Sequence, residues 1–477
     1  MNARTQLFAI LLLAAVLRFY GLGAESLWLD EGVTIRLTSL PYDRLAETGT
    51  QGPLFLLATK VIRDLFGLSE FVLRFLPAVF GIACVFAGYH LGRRLFDETA
   101  GLLAALLLAV NPFLIHYSQD ARPYTLFLLG ALGSLYFVLQ LAARSDWRDV
   151  AGYALATGVA LYSHPFGVFL FPAQAAAFLL WLPGHRRDVR ARLLRRAGLA
   201  VAAAVLIFLP QLIRYGVLFF RKAGGGEVAT WIPYTGWRDL TFTLVRYFAW
   251  RRLSQFVLAV VLLALLWRRP RREQWISLGI LAAVAAFCTV LPWAISLGIA
   301  PIYQARYGIP GMAAVVLAIA WALTVFPRGL RIALVAATLA LTVVPLFSYY
   351  TKLDKDPWRQ TAERLRAWAA PQDVVVEYPG WTEEPLNFYL RSDSSIRVLN
   401  PPEEADIRPF IHNAARIWLV RSYRPYSAES ERLLLAALAE THVADSLIRV
   451  NDDLIRNPWT VHMAKISITR FRPKVVT

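Results

Sequence analysis

Two carboxylates stand side by side at Asp30-Glu31, shortly after the first apolar run ends. A carboxylate held near reacting atoms can take a proton from an attacking hydroxyl, or bind a metal. Further along are His116-Tyr117-Ser118-Gln119-Asp120-Ala121-Arg122-Pro123-Tyr124, then His164, then Tyr303-Gln304-Ala305-Arg306-Tyr307. Arginine offers a planar fork of donors that clamps phosphate through bidentate, charge-assisted hydrogen bonds. Acids and arginines of this kind suit the removal of a proton and the holding of a phosphorylated group. Each feature also has a plain structural reading. An acidic pair is ordinarily a solvated loop, and Asp120 with Arg122 fits a helix entry favoured by the dipole. His164 can cap a short hairpin, Arg306 can snorkel to headgroups, and Tyr303 and Tyr307 fit an aromatic belt.

The elements that must position these residues are membrane spans. The chain of 477 residues is 57% hydrophobic with a mean hydropathy of +0.47, against roughly 45–50% apolar in soluble domains. Apolar segments able to cross a hydrocarbon core of about 30 Å lie near 5–22, 72–91, 100–116, 123–142, 150–163, 165–182, 197–213, 253–267, 275–297, 307–326 and 330–347. They predict about eleven transmembrane helices in a polytopic α-helical membrane protein. The nearly unbroken run 150–182 is read as two short spans broken at His164-Pro165. The first span is read as an uncleaved signal anchor, because no small-residue cleavage site precedes Trp28.

The net charge of +17 would by itself suggest nucleic acid, but its distribution argues for a membrane instead. From Thr351 onward 18 Lys and Arg face 17 Asp and Glu, leaving 32 against 16 before it. The excess sits in short connectors: Arg93-Arg94, Arg144/Arg148, Arg186–Arg196, Arg268–Arg272 and Arg328/Arg331. With the N-terminus in the cytoplasm all five fall inside, as the positive-inside rule requires. Asp30-Glu31, Asp120, His164, Arg306 and everything after 347 then fall outside. No nucleic-acid partner is needed. Cys84 and Cys288 lie in apolar runs, which argues against a disulfide framework or a zinc site.

Two domains are expected: a membrane domain over 1–350, with an outside loop at 23–70, and a soluble extracytoplasmic α/β domain over 351–477. In the loop, Leu54, Leu57, Val61, Ile62 and Leu65 recur at helical spacing, predicting an amphipathic helix on the membrane surface with Lys60 on its solvated face. The loop 214–252, rich in Trp, Tyr, Gly and Arg, suits an interfacial layer. In the C-terminal part, helices are expected over 356–369 and 429–440, and strands over 373–378, 417–421, 443–450 and 461–470.

On these residues the chain resembles polyprenyl-phosphate-sugar-dependent glycosyltransferases of the GT-C fold, bacterial members related to family 39 and to protein O-mannosyl- and aminoarabinose transferases. The resemblance spans roughly 10–350. It rests on Leu29-Asp30-Glu31, Pro53-Leu54, Gly92-Arg93-Arg94-Leu95-Phe96, Tyr117 to Tyr124, and Arg306-Tyr307. Relatives commonly carry His-Pro-Pro-Leu where this chain has Gln51-Gly52-Pro53-Leu54, which puts a metal role for that loop in doubt. The resemblance implies a sugar donor on a polyprenyl phosphate, transfer with inversion to an extracytoplasmic acceptor hydroxyl, and a place in the plasma (inner) membrane. The acceptor class is a glycan, a lipid or a protein of the envelope. It further implies Asp30 as general base with Glu31 orienting it or the acceptor. Asp120 would hold the sugar or orient the loop. Arg306 would bind the phosphate, with Arg122 and Lys60 as weaker candidates, and Tyr124, His164, Tyr303 and Tyr307 would line the substrate site. It leaves a divalent metal open without requiring one, since relatives differ on this point.

Two other classes compete. A flippase or other transporter of lipid-linked sugars would place charges near the bilayer midplane and show internal repeats; here the charges gather at one face and no duplicated halves are apparent. A non-catalytic scaffold would keep the outer domain as a partner-binding module and would not need Asp30.

Overall fold

A computed structural model describes residues 2–45, 52–144, 146–182, 187–223, 232–351, 355–391, 393, 395–401, 406–411, 414–422, 428–450 and 466–474. Gln51 of the loop motif therefore lies outside the described residues, as does the first half (461–465) of the expected strand over 461–470. The helices used below run, in chain order, α1 (Ala3–Phe19), α2 (Leu29–Ser39), α3 (Pro53–Phe66), α4 (Glu70–Leu95), α5 (Glu98–Val110), α6 (Pro112–Ser118), α7 (Tyr124–Arg144), α8 (Trp147–Ser163), α9 (Leu170–Trp181), α10 (Arg187–Ala223), α11 (Trp237–Phe248), α12 (Arg251–Trp267), α13 (Arg272–Ala285), α14 (Ile309–Val325) and α15 (Arg328–Thr351). The chain divides into two compact units: Met1–Leu22 with Pro41–Thr351, and Gly23–Leu40 with Lys352–Thr477.

The first unit is all helix. Among the described residues six helices are long and apolar enough to cross a membrane, or up to eight if two bent pairs each count as one span. A helix coincides with every apolar segment of the sequence, but several are too short to qualify alone. One bent pair is α5 and α6, which meet at 59°. Pro112 makes that break, because it has no N–H to donate to the carbonyl of Leu108. Arg18 of α1, fully buried, takes over the orphaned acceptors. Its Nη2 donates to Leu108 O at 3.1 Å and its Nη1 to Ala109 O at 3.0 Å, while Nε donates to Ser118 Oγ at 3.2 Å. The basic residue that interrupts the first apolar run is thus a staple on a broken span.

Helix α3 forms over the predicted amphipathic stretch, with Leu57, Val61, Leu65 and Phe66 exposed and Phe55, Leu56 and Thr59 buried. Lys60 is a correction to the sequence reading. It is only 9% exposed, because it lies on the inward side of the helix with Leu56 and Thr59. Its Nζ pairs with Asp64 at 3.4 Å and lies 4.7 Å from the Tyr42 ring centre. Tyr42 in turn donates to Asp64 at 2.7 Å.

The second unit is α/β. Its elements are α2, then α16 (Trp358–Trp368), β1 (Val374–Tyr378), α17 (Glu383–Leu390), β2 (Arg397–Leu399), β3 (Ile417–Arg421), α18 (Ala428–Thr441), β4 (His442–Arg449) and β5 (Ser467–Pro473). The sheet order is β2-β1-β3-β5-β4, with β1 parallel to β2 and β3, and β5 antiparallel to β3 and β4. Alternation along β1 serves two cores. Val375 packs with Trp358, Leu365, Leu386, Trp418 and Ile468, while Val374, Val376 and Tyr378 pack with Ile417, Leu419 and Leu438.

Helix α2 lies on α17 within this unit. A Cβ at Gly32 would sit 2.7 Å from Pro385 Cδ, so the glycine after the acidic pair is what lets the two helices meet. Arg36 pairs with Glu384 at 2.8 Å beside that contact. Ahead of α2, Arg359 of α16 gathers the chain by donating to the carbonyls of Ala24 (2.7 Å) and Gly23 (3.2 Å). Tyr389 Oη accepts from Leu27 N–H at 2.8 Å.

Candidate active site

Asp30 and Glu31 occupy the first turn of α2 rather than a loop, where acidic residues complement the helix dipole. Glu31 is fully buried. Its Oε2 accepts from the N–H of Trp28 at 3.4 Å, and its Oε1 accepts from Lys355 Nζ at 2.9 Å. Lys355 is itself 5% exposed. The pair's second carboxylate is therefore engaged in capping its own helix and in a buried ion pair. Lys355 went unnoticed in the sequence because it sits in a short polar connector with no motif around it.

In the first unit, the segment from Tyr117 to Tyr124 is fixed by the broken span before it. Asn111 Oδ1 caps α6 by accepting from Leu114 N–H at 2.8 Å, and Asn111 Nδ2 donates to Tyr247 O at 3.0 Å. Gln119 Nε2 donates to the carbonyls of Arg18 and Tyr20, both at 2.9 Å, and Gln119 Oε1 accepts from Tyr349 Oη at 2.8 Å. The turn ends with Arg122 N–H donating to Asp120 O at 2.7 Å. Asp120, Arg122 and Tyr124 are all buried.

Against this turn the structure brings His164 and the segment before α14. His164 Nδ1 accepts from Phe166 N–H at 3.2 Å, which caps the turn after α8. Its ring lies 4.7 Å from that of Tyr307, 5.9 Å from that of Tyr124, and stacks on Phe127 at 5.3 Å. The Arg306 guanidinium lies 5.9 Å from the Tyr124 ring centre and 5.5 Å from that of Tyr307. Arg122 and Arg306 both act electrostatically on His164. Tyr303 is set slightly apart, its hydroxyl 2.6 Å from Thr243 Oγ1 of α11. Asp120, Arg122, Tyr124, His164, Arg306 and Tyr307 thus form one neighbourhood, whereas Lys60 is engaged with Asp64 and Tyr42.

One cation was missed. Arg246, in the last turn of α11, lies within electrostatic range of both Tyr117 and Tyr303, and Tyr117 also senses Arg306 and Asp120. The stretch 214–252 reads as an interfacial aromatic layer, and nothing in its pattern singles out one arginine. Among the described residues no three His, Cys, Asp or Glu side chains gather into a metal-binding group, and no step is assigned to a metal.

Buried acid, three arginines and a wall of tyrosine and histidine rings can hold an anionic, partly apolar ligand, with aromatic faces for a sugar and guanidinium groups for phosphate. The chain is similar to known proteins in sequence profile and in fold. Residues 50–213 match the sequence profile of a family described as dolichyl-phosphate-mannose-protein mannosyltransferase. No curated protein sequence matches the chain. Among solved structures, ArnT from Cupriavidus metallidurans in the apo state is similar at a TM-score of 0.61 and 14% identity, over 98% of both chains. The same enzyme bound to undecaprenyl phosphate is similar at 0.58 and 15%, again over 98% of both. The oligosaccharyltransferase of Archaeoglobus fulgidus in complex with Zn and sulfate is similar at 0.56 and 17%, over 87% of this chain and 68% of its own. The chain is a polytopic helical membrane protein with the fold of these GT-C proteins. Profile and neighbours together indicate a glycosyltransferase.

Proposed function

We propose that this protein moves a sugar from a polyprenyl-phosphate donor to the hydroxyl of an extracytoplasmic acceptor, inverting the anomeric carbon. In this reading eleven spans cross the plasma (inner) membrane with the N-terminus in the cytoplasm, and the α/β unit hangs outside as an acceptor-binding module. The acceptor oxygen attacks the anomeric carbon, its proton passes to the Asp30 carboxylate, and the bond from that carbon to the phosphate oxygen breaks. The polyprenyl phosphate leaves with growing negative charge. Arg306, helped by Arg122 and Arg246, stabilises that charge, and Asp120 orients the sugar against the rings of Tyr124, His164 and Tyr307. Glu31 acts through position: its charge is compensated by Lys355, and it holds the helix turn that presents Asp30. Lys60, the weaker phosphate candidate, pairs with Asp64 and lies beside Tyr42.

The observation that carries this reading is the gathering of buried Asp120 and Arg122 with the half-buried Arg306 and aromatic rings at one end of the helical bundle. The donor class is supported by the undecaprenyl-phosphate complex of the ArnT neighbour. The test compares lipid-linked sugars and envelope glycans by mass spectrometry in a deletion strain complemented with the wild-type protein or with Asp30→Asn. A sugar missing from an acceptor, with its lipid-linked form accumulating, should appear in the deletion and persist with Asp30→Asn. Restoration of the wild-type pattern by Asp30→Asn would remove Asp30 as base.

A further inference from the structure

The stretch Gly92-Arg93-Arg94-Leu95-Phe96 has no part in the chemistry above, and packing accounts for only some of it. A Cβ at Gly92 would lie 3.1 Å from Gly101 Cα, so the glycine lets α4 and α5 cross closely. Leu95 is buried, and its carbonyl accepts from Ser277 Oγ at 2.7 Å. The Phe96 ring meets Trp321 at 6.1 Å. None of these contacts calls for two arginines.

Both arginines instead line a cleft of about 440 Å³ between α4 and α7, together with His90, Tyr136, Gln140 and Ala143. His90 and Arg94 are one turn apart on α4, as Tyr136 and Gln140 are on α7, so two helix faces meet across it. The cleft is built. Arg94 Nε donates to Gln140 Oε1 at 3.2 Å, and Arg94 Nη2 donates to Leu139 O at 3.3 Å. Gln140 Nε2 donates to Tyr136 Oη at 3.0 Å, and the guanidinium lies 5.2 Å from the Trp181 ring centre. Arg93 is half exposed, with Glu98 3.9 Å away. Among the described residues, no acidic side chain lines the cleft.

Charge at a helix end needs only water to satisfy the positive-inside rule. A guanidinium held from two sides beside a second arginine and a histidine is a receptor for an anion. Its depth names the source. Helix α4 has 26 residues, more than the roughly 20 that cross the hydrocarbon core, so its last turn reaches the headgroup layer. The turn from Asp120 to Tyr124 begins α7 and this cleft flanks that helix's last turns, so the two lie at opposite membrane faces.

We propose that the cleft of His90, Arg93, Arg94, Tyr136 and Gln140 binds the phosphate of an anionic phospholipid from the leaflet opposite the Asp120–Arg306 neighbourhood. Such basic clefts between spans suit acidic headgroups. A free phosphate ion shares the chemistry but lacks the acyl chains that would hold it at that depth.

The test uses the full-length protein in phosphatidylcholine nanodiscs with and without phosphatidylglycerol, read by thermal unfolding and, after detergent extraction, by native mass spectrometry. Phosphatidylglycerol should raise Tm and remain as an adduct of the wild type. Arg93→Gln with Arg94→Gln should weaken its retention roughly a hundredfold, the loss of two charge-assisted contacts. Arg93→Gln alone alters an exposed side chain, so it keeps the comparison valid should the double variant fold poorly; it should weaken retention in the same direction. Equal retention by wild type and Arg93→Gln would overturn the proposal. So would inorganic phosphate raising Tm in pure phosphatidylcholine as much as phosphatidylglycerol does. Neither readout depends on sugar transfer, so this result stands apart from that of Asp30→Asn.

Discussion

Lys355 Nζ lies 2.9 Å from Glu31 Oε1, and both side chains are all but sealed from solvent. A buried pair is a weak source of net stability, but removing one partner strands the other charge. Lys355→Met should therefore destabilise the α/β unit by about 3–5 kcal/mol and lower sugar transfer with it, since Glu31 holds the first turn of α2. Lys355→Arg should recover part of both losses. Lys355→Met combined with Glu31→Gln should recover stability more fully than either single change. A double-mutant cycle on denaturant unfolding checks this, and strictly additive losses would mean the two residues are not coupled.

Arg18 answers the carbonyls of Leu108 and Ala109 that the break at Pro112 leaves behind. Arg18→Met keeps the volume and removes the donors, leaving buried acceptors at about 1–3 kcal/mol each. The loss should appear as a lower Tm of the full-length protein in detergent. It should also appear as lost transfer, because α6 and the Tyr117–Tyr124 turn hang on that break. An unchanged Tm would show that water or another group serves those carbonyls.

The sequence carried the helical membrane class through long uncharged runs, and it carried β3 through Ile417 to Val420, a run apolar on both faces. Helix α17 and strand β2 escaped because eight and three residues give too short a period to read. Lys60 was misjudged for a physical reason. Amphipathic spacing locates a helix face but not which face meets lipid, and here Lys60 lies on the inward side with Leu56 and Thr59. Asp120, Arg122 and Arg306 were recognisable as polar residues at span ends, whereas Lys355 and Arg246 owe their importance to contacts across long sequence separations. No local pattern announces such contacts.

Arg306 stands against two tyrosine rings, which favours a planar cation over a point charge. Arg306→Lys should keep the charge and lose both the fork and the stacking, lowering transfer by roughly 10–100-fold, the value of one or two charge-assisted hydrogen bonds. Arg246→Gln should act in the same direction. Steady-state kinetics against donor concentration tell binding of the ground state from stabilisation of the leaving phosphate. A fall in kcat/KM carried by kcat assigns the arginine to the leaving group, and a rise in KM alone assigns it to donor binding. No change in either would remove Arg306 from the site.

Glu377, next to last in strand β1, is fully buried. Thr382 Oγ1 donates to its Oε1 at 2.9 Å, and Oε2 has no partner among the described residues. Burial, reinforced by Glu383 and Glu384 at the start of α17, pushes its carboxyl up to about 8 against the Thr382 hydrogen bond. A carboxyl raised in the folded state contributes stability that is complete below its unfolded value, near 4.5, and lost as pH rises through about 8. Between those limits the folded chain keeps a proton that the unfolded chain has released. Amide hydrogen exchange over β1 and α17 in the full-length protein, corrected for intrinsic rates, should therefore show protection falling across that window. Glu377→Gln preserves the acceptor for Thr382 and cannot ionise, so its protection should be flat with pH and higher than that of the wild type near pH 8. Because α17 carries α2 through Pro385 against Gly32 and Arg36 with Glu384, α2 should share the same pH dependence. An identical slope in Glu377→Gln would place the titrating group elsewhere.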